Sequence, residues 1–355
     1  MRLMFPAIPL LALGCAAPEH LSPIDLDAIA SPVPGDFSSE ADLPERYADE
    51  IEAPFLALPE GSFTGVDDVS IHYRVVHADD PVGSVVFLAG RTEPILKHAE
   101  NFWDLSAQGY NVYALDLRGQ GASGRMLDNP QIQYVKFWDD YVQDLSAFVD
   151  TVVLPDDPGP LFLMAHSMGA TSAGLFLVER PEVFAGAAFS SPMIGIDTGA
   201  FPAAVAQTLA AGVCDWSAGE GYTIGHGDYS DDYTLEESTV THSQARFDFK
   251  MQIFDDYPEL RVGGVSWRWL CEGLAASEVL IGLGPDTPTR TLVFEAEDEL
   301  VVLPEAEERW CEEAPGCQLE VLPGSKHEIF SEVDEVRNEA LAHTVRFFDA
   351  VRELP

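Results

Sequence analysis

Positive charge is what this 355-residue sequence has least of: 19 Lys and Arg stand against 60 Asp and Glu, for a formal net charge of −41. A chain this acidic has no broad basic face for nucleic acid, and its surface repels anionic membranes. The charge suits a neutral, zwitterionic or cationic substrate. Adaptation to a salty or acidic habitat accounts for it equally well. Long apolar runs are also missing. The stretch from Met4 to Leu13 is apolar but broken by proline, and it is too short to span a bilayer. Cysteine is scarce, with five in all, and no internal repeat is visible. What remains is 46% hydrophobic residues, ample for a large core.

The N-terminus reads as a processing signal. Arg2 gives a minimal positive start, and the apolar run ends in Ala12-Leu13-Gly14-Cys15, followed by Ala16-Ala17. A small residue before a cysteine at this point resembles the bacterial lipoprotein signal. Cleavage after residue 14 would leave Cys15 as the lipidated first residue of an exported, membrane-anchored protein. Ordinary secretion, with cleavage near Ala16 and Ala17, is the second reading. Lipidation of Cys15 leaves Cys214, Cys271, Cys311 and Cys317, an even number that suggests disulfides in an exported chain. Of the three pairings, Cys311 with Cys317 and Cys214 with Cys271 is favoured, closing a short loop and stapling one insertion.

Residues 15–60 are rich in Pro, Ser, Asp and Glu and read as a tether and N-terminal arm. Folded alternation begins at about residue 61 and runs to 355. Ser70 to Val76 alternates as a half-buried strand, and Val85-Val86-Phe87-Leu88, Val112 to Leu115 and Leu161 to Met164 are continuous apolar runs suited to strands buried on both faces. Helical stretches separate them: Ile95 to Gln108, stopped by Gly109, then Val135 to Val153 and Thr171 to Val178. Further strands are expected at Phe184–Phe189, Thr291–Phe294 and Gln318–Leu322, with helices at Glu305–Glu313 and Val333–Val351. Repeated strand–helix alternation predicts an α/β fold with a mostly parallel central sheet flanked by helices. The alternation lapses at about 193–289. That segment, with helical patches at Pro202–Ala211 and Trp267–Val279, reads as a helical cap inserted before the late strands.

The strongest local signal is Leu161-Phe162-Leu163-Met164-Ala165-His166-Ser167-Met168-Gly169-Ala170. A buried strand runs into a serine with small residues two positions to either side, then into a helix. This is the pattern of a nucleophile elbow. The helix N-terminus favours the negative charge that develops during attack. A serine hydroxyl needs a base, and the base needs an orienting carboxylate. His327, in Pro323-Gly324-Ser325-Lys326-His327-Glu328, lies between the last strand and the last helix and is the expected base. Phe294-Glu295-Ala296-Glu297-Asp298-Glu299 offers four carboxylates after a late strand. Asp298 is the expected acid, with Glu297 the alternative. The oxyanion is assigned to two backbone N–H groups, those of Met168 and of Arg91 in the turn Leu88-Ala89-Gly90-Arg91. His343, inside the last helix, reads as structural. The acidic stretch His226, Asp228, Asp231 and Asp232 follows no compact metal-ligand pattern, so no metal site is assigned.

Several separated segments now resemble one family, the bacterial lysophospholipase and monoacylglycerol lipase branch of the α/β-hydrolases. They are Gly90-Arg91-Thr92-Glu93 with Lys97; Asp116-Leu117-Arg118-Gly119-Gln120-Gly121-Ala122-Ser123-Gly124-Arg125; His166-Ser167-Met168-Gly169; Glu297-Asp298; and Lys326-His327-Glu328. Thr241-His242-Ser243 with Arg246-Phe247, and Gly263 to Trp267 with Trp269-Leu270, look like that branch's cap. The resemblance covers about Ser62 to Phe348. It implies hydrolysis of a carboxylic ester in a monoacyl lipid, through an acyl-enzyme and without a cofactor. Nucleophile, acid and base would fall on Ser167, Asp298 and His327, and the oxyanion donors on Arg91 and Met168. The Asp116–Arg125 stretch reads as a structural loop. Phe201, Phe247, Phe249, Phe254, Trp267 and Trp269 are candidates for lining an acyl pocket, or for the cap's own small core. A short-chain esterase, a peptidase-like hydrolase and an inactive surface-binding module are the competing functions. Oligomeric state is left open.

Overall fold

The computed structural model describes residues 20–30, 32–156, 159–197 and 217–354. Eight strands form one sheet: β1 (Gly61–Thr64), β2 (Ser70–Val76), β3 (Gly83–Leu88), β4 (Tyr110–Leu115), β5 (Leu161–His166), β6 (Gly186–Ser190), β7 (Arg290–Ala296) and β8 (Cys317–Leu322). Their spatial order is β1-β2-β4-β3-β5-β6-β7-β8. β1 and β2 pair antiparallel, β2 joins β4 antiparallel, and every pairing from β4 onward is parallel. The apolar runs of β3, β4 and β5 are buried along their whole length, because helices cover both faces of the sheet there.

The two faces divide these strands residue by residue. Val85 and Phe87, with Phe162 and Met164, face one core. Val86 and Leu88, with Leu163 and Ala165, face the other. The first face is covered by α3 (Ala99–Ala107) and α9 (Asp334–Arg352). The second is covered by α4 (Asp139–Phe148), α5 (Met168–Glu179) and α8 (Pro304–Glu313). α4 continues in wider turns through Val153. Among the described residues of the cap, two helices stand out, α6 (Gln244–Asp256) and α7 (Trp267–Gly282), capped by Ser243 and Ser266 through side-chain bonds to the amides of Arg246 and Trp269. Pro202–Ala211 lies outside the described residues.

The arm packs against the body. Its two short helices, α1 (Leu43–Arg46) and α2 (Ala53–Ala57), frame a stripe of Leu43, Tyr47, Ile51 and Phe55 that joins the first core. Arg74, 6% exposed, fastens the end of this segment by donating to the carbonyls of Leu56 and Leu58 and pairing with Glu60 at 2.9 Å. Cys311 and Cys317 form the expected short disulfide, joining α8 to the start of β8. Cys271 is also disulfide-bonded, while Cys214, its expected partner, lies outside the described residues. Among the described residues, no helix is long and apolar enough to cross a membrane.

Phe55 is 1% exposed and contacts Phe102 with ring centroids 5.8 Å apart. Phe55→Ala is therefore expected to destabilise the protein by roughly 3–5 kcal/mol. Urea denaturation of the full chain measures it, and an unchanged midpoint would show that the arm contributes nothing to the core.

Candidate active site

At the end of β5 the chain turns into α5 through Ser167, held at φ 49° and ψ −118°. A non-glycine residue at such a φ is strained and persists only where its surroundings fix it. Several bonds do so here. Ser167 donates its N–H to the Ser190 carbonyl at 3.0 Å, and its own carbonyl accepts from Ala170 and Met193 at 3.0 and 3.1 Å. Gly169 permits the turn: a Cβ there would lie 2.6 Å from the carbonyl oxygens of both Leu88 and Ala89. The elbow thus rests directly on the backbone that ends β3.

That backbone leads into the turn Gly90-Arg91-Thr92-Glu93. Gly90 donates its N–H to Glu93 Oε2 at 2.7 Å, and Thr92, at φ 63°, donates its N–H to Gln120 Oε1 at 3.0 Å. The fully buried Gln120 amide then donates to the carbonyls of Gly90 and Glu93 at 2.7 and 3.1 Å. The loop Asp116–Arg125 is therefore a clamp on this turn. Asp116 ties it to the body by accepting from the Ile95 N–H at 2.8 Å, and closes the loop on itself by accepting from the Ala122 N–H at 3.0 Å. Gly121 must be glycine because it sits at φ 54° with Asp116 Oδ1 2.0 Å from any Cβ. The amides flanking Arg91 are committed, and Met168 opens α5, where an N–H has no intrahelical acceptor. Both expected oxyanion donors thus belong to segments pressed against Ser167.

His327 reaches Ser167 from the loop after β8. Its Nε2 lies 2.9 Å from Ser167 Oγ, and its Nδ1 lies 2.8 Å from Glu299 Oε2. Serine and histidine meet as expected, but the carboxylate on the imidazole is that of Glu299, neither Asp298 nor Glu297. The cause lies in how two loops are laced. Asp298 donates its N–H to the Ser325 carbonyl at 2.9 Å with its side chain on the surface, and Glu297 Oε2 accepts from the Gly324 N–H at 2.7 Å. These two positions form the turn after β7, and the chain faces inward again only at the next residue. The Glu299 side chain is 1% exposed. Its Oε1 accepts from Val301 and Val302 at 2.7 and 3.2 Å. Burial opposes its charge, but the hydrogen bond and charge of His327, with these amides, outweigh burial and hold the carboxyl below its usual range. The sequence signal for Glu299 is the pair Val301-Val302 just beyond it, whose return to apolar character marks where the loop re-enters the body.

A second carboxylate stands behind the first. Glu307 on α8 is fully buried, and burial, reinforced by Glu299 and Glu295, pushes its proton affinity well above the usual range. Burial and the neighbouring carboxylates thus favour its neutral form. His166, tilted against His327 with ring centroids 4.8 Å apart, is pushed down to about 4, chiefly by burial. It is a neutral ring at pH 7, with Nδ1 3.0 Å from the Ser190 carbonyl.

A cavity of about 650 Å³ opens over Ser167 and His327. Its walls include Met193, Ile196, Val265, Trp269, Leu270 and Val302, and Trp267 also lines it. Phe247, Phe249 and Phe254 do not line it. Phe254 packs in the first core with Phe249 against it, and Tyr47 stacks on Phe249 at 4.1 Å. Phe201 lies outside the described residues. Asp228 accepts from Asn129 at 2.9 Å and from Tyr222, while His226 Nδ1 accepts from the Val265 N–H at 3.2 Å. His343 bonds Glu320 at 2.7 Å.

Residues 79–334 match the family model described as "Serine aminopeptidase, S33". Lysophospholipase L2 of Escherichia coli is 36% identical over 303 residues, covering 82% of this chain and 87% of that protein. The chain belongs to this enzyme family, within the lysophospholipase and monoacylglycerol lipase branch of the α/β-hydrolases. A monoacylglycerol lipase of Mycolicibacterium smegmatis is 26% identical over 286 residues, covering 78% of this chain and 92% of its own. The fold is shared with a soluble variant of monoglyceride lipase from Saccharomyces cerevisiae, with a TM-score of 0.67 at 19% identity over 84% of this chain and 95% of that one. A carboxyl esterase from Bacillus coagulans has a TM-score of 0.65 at 16% identity over 83% of this chain and 99% of its own.

Gly169→Ala is expected to cost about 1–3 kcal/mol, because the added methyl meets rigid backbone carbonyls instead of side chains that can move. Thermal denaturation reads the loss, and an unchanged Tm would mean that the elbow does not bear on β3.

Proposed function

We propose that this family member hydrolyses the carboxylic ester of a monoacyl lipid through a Ser-His-Glu triad and an acyl-enzyme. The observation that carries this reading is the row of hydrogen bonds from Ser167 through His327 to Glu299, opening on a cavity with largely apolar walls. The named activities of the Escherichia coli and Mycolicibacterium smegmatis relatives support it.

In this mechanism His327 Nε2 takes the Ser167 proton as the hydroxyl oxygen attacks the ester carbonyl. The N–H groups of Met168 and Arg91 stabilise the oxyanion. Glu299 fixes the proton of His327 on Nδ1 and stabilises the imidazolium. Collapse of the tetrahedral intermediate expels the alcohol, which takes the proton from Nε2. Water, deprotonated by His327, then attacks the acyl-serine and releases the fatty acid. Cys15, outside the described residues, would carry the lipid that holds the exported enzyme at a membrane surface, where monoacyl lipids reside.

Ser167→Ala is expected to lower kcat/KM on nitrophenyl esters by roughly 10⁴-fold or more. Glu299→Gln should lose about 10³–10⁴-fold, and Asp298→Asn less than about threefold. The reverse order for the two acids would return the role to Asp298. Fluorophosphonate labelling should depend on Ser167, and labelling that survives Ser167→Ala would refute the nucleophile. Cys15→Ser should release the protein from the membrane fraction of expressing cells and abolish incorporation of labelled palmitate; palmitate still incorporated would rule out this anchor.

A further inference from the structure

With 60 acidic residues, neighbouring carboxylates are easy to form. Yet among the described residues one set of three His, Cys, Asp or Glu side chains brings its ligand atoms within 4.8 Å of one another: Asp27, Glu339 and His343. None of the three lines the cavity over Ser167. Asp27 belongs to the arm, in a short turn of helix (Leu26–Ala28) whose Leu26 is buried in the first core. Glu339 and His343 stand one turn apart on α9.

The histidine is 9% exposed, and its two nitrogens have different surroundings. Nδ1 lies 2.7 Å from Glu320 Oε2. A carboxylate only accepts, so the ring proton sits on Nδ1 and Nε2 of the neutral ring keeps its lone pair. Nε2 is buried and makes no hydrogen bond. Two carboxylate oxygens nevertheless flank it, Glu339 Oε1 at 3.2 Å and Asp27 Oδ1 at 3.7 Å. The acceptor of an N–H bond sits on the axis of that bond, whereas ligands that share an ion with the nitrogen sit beside it. In a tetrahedral site with bonds of about 2.0 Å, neighbouring ligand atoms are about 3.3 Å apart, a value between the two separations here.

The other side of the ring is built as metal-bound histidines usually are, donating its second N–H to a carboxylate that is itself held. Glu320 Oε1 accepts from Gln318 Nε2 at 3.1 Å, and Gln318 Oε1 accepts from the Ile24 N–H at 3.0 Å. Both residues lie on β8, the edge strand of the sheet. Arm, edge strand and last helix therefore converge on one nitrogen.

We propose that Asp27, Glu339 and His343 bind a divalent transition-metal ion of the zinc type, with water completing its coordination, and that this ion clasps the arm to α9. One imidazole with two carboxylates suits zinc better than magnesium, which takes oxygen ligands. The exposed Asp27 leaves the ion open to solvent, as a water ligand requires. A proton competes for the same lone pair: Glu320, aided by Glu339, raises the proton affinity of the ring against burial and Arg346. Binding therefore weakens on acidification. The inference does not depend on the ester-hydrolase reading.

The test is calorimetric titration of the full-length protein with zinc sulfate after removal of metals by chelator. One zinc should bind per chain, and His343→Ala should abolish it. Asp27→Asn, an exposed change that leaves the core intact, should weaken it at least tenfold and leave nitrophenyl ester hydrolysis unaltered. Glu320→Gln removes no ligand and should still weaken binding by roughly 10–100-fold. Zinc at a hundred times its Kd should raise the wild-type Tm by about 4 °C, and by half of that or less in Asp27→Asn; magnesium at the same concentration should not raise it. No zinc uptake, unchanged affinity in Asp27→Asn, or equal stabilisation by magnesium would overturn the site. Should His343→Ala fail to fold, Asp27→Asn decides. Stabilisation by acid alone, without zinc uptake, would leave a protonated His343 among its carboxylates and no metal site.

Discussion

Gly169 approaches the carbonyls of Leu88 and Ala89 so closely that the nucleophile's turn and the turn after β3 cannot move independently. A helix packed this tightly on a strand end does more than fill space. It sets the height of the Ser167 hydroxyl against the amide of Arg91, the relation on which the proposed oxyanion stabilisation depends. The left-handed φ of Ser167 and the positive φ of Thr92 are the local strain of that contact. The surrounding bonds hold it in place: Ser190 and Met193 on one side, the Gln120 amide on the other. Gln120 touches no reacting atom in this arrangement, and its effect passes through the turn it clamps.

The buried charges follow from the same constraint. Glu93 accepts the Gly90 N–H and in turn holds Lys97, and His98 Nε2 lies 3.2 Å from it. Lys97 passes the connection to Glu328, the neighbour of His327 in sequence. One ion network therefore ties the turn at Arg91 to the histidine loop, so that the proposed base and the proposed oxyanion donors share contacts. Burial would otherwise discharge these carboxylates. With Lys97 as the leading opposing charge, Glu93 is held well below the usual range. The cap closes the ring: Glu328 donates its N–H to the Val240 carbonyl at 2.7 Å, and Arg246 on α6 pairs with Glu100 of α3 at 2.8 Å.

Much of this was legible in the sequence because burial on both faces writes itself as continuous apolar runs. β3, β4 and β5 are such runs, and the elbow follows the last of them. His327 was legible because it alone among the histidines sits between the last strand and last helix. Glu299 was not, since three consecutive acids differ only in the path of a turn, and two backbone bonds to Ser325 and Gly324 decide which faces inward. The packing of the arm was hidden for another reason. Leu43, Tyr47, Ile51 and Phe55 are spaced four apart, a helical stripe, but prolines and acids between them mask it. Helix α6 is masked in the sequence because its buried positions include Arg246 and Lys250. Cations at core-facing positions break the apolar period by which amphipathic helices are recognised.

That last departure carries the most information. A buried lysine or arginine costs free energy unless something compensates it, so a cap helix that places two of them inward has structural or functional reasons to do so. For Arg246 the compensation is complete within the chain: Glu100, Asp334 and the Glu332 carbonyl take up its donors. For Lys250 it is partial, a carboxylate at 4.0 Å that is already bonded to Lys97, and two aromatic faces. The same helix thus holds one cation hydrogen-bonded directly to its carboxylates and one held by a longer ion pair to Glu328 and two ring faces. The first fixes the cap to α3 and α9. The second joins the cap, through Glu328, to the loop that carries His327.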